Sequence, residues 1–209
     1  MLRILVAGTL RCGTSYTARV LNLLGISCGH GWVYSPQEAR RYPEIEIQGD
    51  ASPLAAPFVR DFPGLVLHQV RDPLKVTGSL LACNLFRQPR SHGPEGEFLA
   101  RHFDFTGDLL KDAMRYYVTW NTRCERHNNY LRYRIEDLDA ELLGRISGLI
   151  GHEVGDKTIR RALEMVPTDS NTRYNARRVR WDDLPDGPEK DALTRLAARY
   201  FYPVPEALK

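Results

Sequence analysis

The sequence predicts an α/β protein built in three layers, a parallel sheet covered by helices on both faces. Three observations predict it. Residues 4–7 and 65–70 are largely apolar runs, the pattern of strands buried on both faces. These runs alternate with segments of helical periodicity, and strand–helix alternation is how parallel sheets are connected. A loop bounded by Gly8 and Gly13 joins the first strand to the first helix, giving a strand–loop–helix unit.

The elements follow in order. After the strand at 4–7, a helix starts near Thr14 with Ala18, Val20, Leu21 and Leu24 on its buried side, and Gly25 ends it. Residues 27–42 read as irregular. Residues 44–48 alternate Glu and Ile, the pattern of a short half-exposed strand that Gly49 and Asp50 break. The proline-punctuated stretch 53–63 leaves room for a short helix only. The second buried strand, 65–70, ends at Arg71. Asp72 and Pro73 then open a helix expected to run to about Phe86, Asp accepting from free backbone N–H groups and Pro tolerating the first helical position. Residues 88–96, rich in Pro and Gly, read as a surface loop. A strong amphipathic helix follows at 109–126, with Leu110, Met114, Tyr117, Val118 and Trp120 among its apolar residues. A third strand is expected at 130–135, and helices at 138–149, 157–165 and 189–200. The segment 167–188 is polar and arginine-rich.

The 209 residues suit one domain spanning 1–209. The net charge of +3 fits an anionic ligand but is too mild to argue for nucleic acid. Cysteines 12, 28, 83 and 124 show no CxxC spacing, so they read as reduced thiols rather than zinc ligands. No apolar run approaches the ~20 residues of a membrane span. The expectation is a cytoplasmic protein without a metal, and its oligomeric state is not legible.

The octet GTLRCGTS at 8–15 has the glycine spacing of a P-loop. Its backbone N–H groups and the helix N-terminus can wrap a phosphate. A Walker A loop carries Lys directly after the second glycine, but here that position is Thr14, and the cation is Arg11 inside the loop. The loop keeps the cradle and moves the charge, which suits a single 5′-phosphate better than a metal-bound triphosphate. The fold expected is therefore P-loop nucleotide-binding-like.

The run LRCGTSY at 10–16 resembles the 5′-phosphosulfate loop of sulfotransferases, including bacterial-type members. That loop runs Arg/Lys-Ser-Gly-Thr-Thr/Ser and then an aromatic or apolar residue. The resemblance implies 3′-phosphoadenosine 5′-phosphosulfate (PAPS) as donor and adenosine 3′,5′-bisphosphate as product. It implies donor contacts from Arg11, Cys12, Gly13, Thr14 and Ser15, with Tyr16 placed against adenine or, alternatively, in the core. Cys12 departs from the pattern, where Ser is usual. Arg71 at the strand end and Ser79 eight residues later resemble the family's 3′-phosphate motif. Their spacing lets a guanidinium fork and a hydroxyl converge on one phosphate. A late basic loop in the family closes over the 3′-phosphate, for which Arg177 and Arg178 are the candidates here. A solvated basic loop is the alternative.

An acceptor hydroxyl or amine needs a base. Asp50 is the first candidate, three residues before Pro53 in a motif similar to one in carbohydrate-acting sulfotransferases, and His30 between Gly29 and Gly31 is the second. Arg11 would stabilise charge on the leaving oxygen. His68 and Trp120 read as core residues, Asp72 as a helix cap, and Glu136 and Asp137 as caps or braces of the following helix. The acceptor, a small molecule or carbohydrate, would be held by residues 27–42, with Trp32, Tyr34 and Tyr42, by the 88–96 loop and by the late basic segment. Two other readings remain: a nucleotide or small-molecule kinase with a degenerate P-loop, and a nucleotide-binding protein without activity.

Overall fold

The computed structural model describes residues 2–31, 47–167 and 177–205. Five parallel strands form its sheet: β1 (Ile4–Ala7), β2 (Cys28–His30), β3 (Gly49–Ser52), β4 (Leu65–Val70) and β5 (Tyr130–Arg134), in the order β2-β3-β1-β4-β5. Among the described residues seven helices of eight residues or more cover it. They are α1 (Thr14–Leu23), α2 (Pro73–Leu80), α3 (Gly93–His102), α4 (Leu109–Cys124), α5 (Ala140–Leu149), α6 (Asp156–Met165) and α7 (Pro188–Arg199). The expected three layers are present.

Strand alternation assigns the two faces. Ile4 and Val6 of β1 pack with Leu65 and Leu67 of β4 against α1, α5 and α6. Leu5, Ala7, Val66 and Val70 face α2, α4 and α7, where Tyr116, Tyr117 and Trp120 are wholly buried. The helices that follow the adjacent strands β1 and β4 therefore depart to opposite faces. That divergence opens a crevice at the carboxyl ends of β1 and β4, where open α/β sheets bind ligands.

Four sequence expectations are corrected. The irregular stretch contains β2, an edge strand of three residues too short to show a period. β3 is Gly49–Ser52, beyond the strand expected at 44–48; residues 44–46 lie outside the described residues, and Ile47 and Gln48 are not in a strand. Gly49 and Asp50 carry turn chemistry, but pairing on both sides, to β1 and to β2, holds them extended. The helix after Asp72 stops at Leu80, and a separate turn, Asn84–Arg87, follows because Cys83 adopts extended backbone (φ −91°, ψ 111°). The expected loop at 88–96 contains the start of α3: Gly93 and Pro94 open that helix rather than interrupt the chain. No helix of the described residues is long and apolar enough to cross a membrane.

Candidate functional site

The loop between β1 and α1 is shaped from below. An added Cβ on Gly8 would lie 2.3 Å from the Gln69 carbonyl oxygen and 2.8 Å from Cys12 Sγ, so only glycine fits. Gly13 has φ 98° and is the N-cap of α1, a left-handed conformation that glycine adopts without steric penalty. A buried polar network holds the loop in place. Gln69 Nε2 donates to the Cys12 carbonyl oxygen at 2.7 Å, while Thr17 Oγ1 and Tyr133 OH both donate to Gln69 Oε1 at 2.6 Å. On the other face, the Leu10 N–H donates to Tyr116 OH at 3.2 Å.

The N-terminus of α1 is open. It has no side-chain cap and no acidic residue in its first turn. In contrast, α2, α4 and α5 are capped by Asp72, Asp108 and Asp139. The dipole of α1 thus favours an anion at this end.

Three sequence-selected residues converge across the crevice. Arg11 has φ 70°, a left-handed conformation unusual for a residue with a side chain and costing on the order of 1–3 kcal/mol. Its neighbours hold it there. Arg71 Nη1 donates to the Arg11 carbonyl oxygen at 3.1 Å, and Arg11 Nε donates to Ser79 Oγ at 2.8 Å. Among the described residues no carboxylate is ion-paired with Arg71. Two guanidiniums, a hydroxyl and an open helix N-terminus therefore face one crevice.

The late basic segment docks beside this cluster. The Arg177 carbonyl oxygen lies 1.9 Å from where a Cβ on Gly78 would sit, one residue before Ser79. Arg177 and Arg178 are exposed and Val179 is buried. Trp32, Tyr34 and Tyr42 lie outside the described residues.

The remaining candidates are placed as follows. The Cys12 thiol turns inward toward Gly8, and burial pushes its pKa up to about 12. Its N–H donates to the Thr9 carbonyl oxygen at 3.3 Å, so Cys12 helps to shape the loop. Thr14 is buried and Ser15 half-buried; Tyr16 is half-buried against the α1-side core.

His30 is exposed at the end of β2, and its Nε2 stands 3.2 Å from Thr14 Oγ1. Desolvation, with repulsion from Arg19, lowers its pKa below the usual imidazole value, so the ring is neutral at pH 7. Asp50 lies within β3 rather than after it, two residues before the strand ends, and is buried. Its register with Leu5 puts it on the α4 face, opposite His30.

No protein-family profile matches the chain. No curated protein matches it either. Among solved structures it is similar to mouse sulfotransferase SULT7A1 complexed with PAP, at 14% identity and a TM-score of 0.48, over 85% of this chain and 70% of that one.

Sequence reasoning missed Gln69, Thr17 and Tyr133 as supports of the loop. The signal was a glutamine inside an apolar strand, which needs buried partners. Gly78 was missed too, because a helical glycine shows no reason until the segment packed on it is known. His68 is a core residue as read, with Nε2 3.0 Å from Asn121 Oδ1 and burial lowering its pKa to about 4. Trp120 is wholly buried and donates from Nε1 to the Pro53 carbonyl oxygen. Asp72 caps α2 by accepting from Leu74 and Lys75 N–H. The cap of α5 is Asp139 rather than Glu136 or Asp137. Glu136 instead accepts from Asp72 N–H and Tyr202 OH, and Asp137 pairs with Arg134.

Proposed function

We propose that the protein transfers a sulfuryl group from PAPS to a hydroxyl or amine of a small-molecule or carbohydrate acceptor. The observation that carries this reading is the convergence of Arg11, Arg71 and Ser79 at the crevice between β1 and β4, beside an uncapped helix N-terminus. A nucleotide with separate 5′ and 3′ phosphates matches two cationic positions on two strand ends. The donor set fits: guanidinium forks, a hydroxyl, backbone N–H groups and a glycine floor without room for a side chain.

PAPS supplies an activated sulfuryl group whose leaving group is a nucleotide phosphate. The protein's share is positioning and charge stabilisation. Arg11 Nε donates to Ser79 and the Arg11 carbonyl oxygen accepts from Arg71, so its charge is held in advance at the crevice; the resemblance assigns it to the 5′ side. Arg71 and Ser79 take the 3′ side, with Arg177 and Arg178 above them. Thr14 and Ser15 add hydroxyls at the first turn of α1. For the acceptor's proton the geometry favours His30 over Asp50. His30 is neutral, exposed and beside Thr14, while Asp50 is buried within its strand on the other face. The absence of a Walker lysine supports this reading over a kinase.

The test is thermal stabilisation by adenosine 3′,5′-bisphosphate, compared with ATP with and without Mg²⁺. At a hundred times its dissociation constant a ligand adds ~2.7 kcal/mol. The expected result is a metal-independent shift with the bisphosphate that Arg71→Ala abolishes. A shift with Mg-ATP alone would overturn the proposal and favour the kinase.

A further inference from the structure

A cavity of about 670 Å³ opens on the α4 side of the molecule, between the turns that precede α3 and the chain that leads into α4. No residue of the phosphate loop, of β4 or of α2 lines it. Its base is aromatic. Phe86 and Phe103 are buried, and the half-buried Phe105 meets them edge-on, with ring centroids 5.2 and 4.9 Å away. Its rim is cationic. Arg87 and Arg90 line it, both exposed, and neither guanidinium forms a hydrogen bond or ion pair among the described residues.

Two acids also line the cavity, but one is already committed. The buried Asp112 accepts from Thr106 N–H, Thr106 Oγ1 and Gly107 N–H and pairs with Arg115. That leaves two guanidiniums against the exposed carboxylate of Asp104. Both walls are fixed in advance. The Pro89 carbonyl oxygen lies 1.7 Å from where a Cβ on Gly96 would sit, so α3 presses directly on the turn that carries Arg90. Asp112 gathers the opposite wall.

We propose that this cavity is a second small-molecule site, for a planar apolar body bearing one anionic group, such as an aromatic carboxylate or sulfonate. Its volume is that of small-ligand pockets, which combine apolar walls with a few fixed polar groups. Guanidiniums at the rim of an aromatic base suit an anion attached to a flat ring. The site is separate from the phosphate cradle. The wholly buried Tyr116 stands between them, its ring 5.2 Å from Phe86 and its hydroxyl on the Leu10 N–H. The inference does not depend on sulfuryl transfer.

The test is a fluorescence titration of the intact chain with 8-anilino-1-naphthalenesulfonate, a flat aromatic sulfonate. Saturable one-to-one binding is expected, weakened at least tenfold in Arg87→Ala/Arg90→Ala and retained within about threefold in Arg87→Lys/Arg90→Lys. Arg71→Ala should leave it unchanged, as should saturating adenosine 3′,5′-bisphosphate. Near-ultraviolet circular dichroism checks that each variant is folded. Unsaturable binding, equal affinity in the Ala double variant, or loss of binding with Arg71→Ala would each overturn the proposal. Displacement by the bisphosphate would place the probe in the cradle and overturn it as well.

Discussion

Arg11 shows how one side chain can be selected by sequence and yet be understood only in space. Its place between two loop glycines marks it as a cation for an anionic ligand. Its left-handed backbone and its bonds to Ser79 and Arg71 make it a preset charge rather than a flexible one. His30 carries the prediction that belongs here. Its pKa is lowered, so the neutral, proton-accepting form dominates at pH 7. Turnover should fall only as the pH drops through a value below the ordinary 6.5 of histidine. His30→Gln should remove that acid limb and lower the rate by about 10²-fold, read as bisphosphate release from PAPS. An acid limb unchanged in His30→Gln would assign the proton to another group, Asp50 first.

The segments that were legible are those whose burial shows as a period. β1, β4, α1 and α4 were read close to their observed bounds because each keeps one chemical pattern throughout. β2, β3 and α3 were not, because glycine and proline serve both as interruptions and as openings, and only neighbouring strands or helices decide which. Gly78 is the most instructive case. Gly→Ala in a helix ordinarily stabilises by about 0.5–1 kcal/mol. Here the new methyl would lie 1.9 Å from the Arg177 carbonyl oxygen. Gly78→Ala is predicted to destabilise by about 1–3 kcal/mol, measured by urea unfolding. A gain in stability would mean that the late segment yields without resisting.

The sheet order places the candidate site. β1 sits between β3 and β4, and the helices that follow β1 and β4 lie on opposite faces. A nucleotide in the crevice would bridge both layers. Hydrogen exchange is expected to slow on bisphosphate binding in the 8–17 and 71–79 segments together, although they belong to different faces. Protection confined to one of them would mean that the ligand engages one phosphate position only.

By itself the sequence determined the α/β class and the place of a glycine-bounded loop at the first strand–helix turn, and it singled out Arg11, Arg71 and Ser79, which the fold brings together. These depend on local chemistry: glycine spacing, a charge at a strand end, a hydroxyl two helical turns away. The tertiary structure decided what depends on distant segments. It turned the Cys12 thiol inward, set Asp50 within a strand, brought Arg177 onto Gly78 and built the loop's support from Gln69, Thr17 and Tyr133. Each of those contacts joins residues far apart along the chain, and no local pattern records which of them will meet.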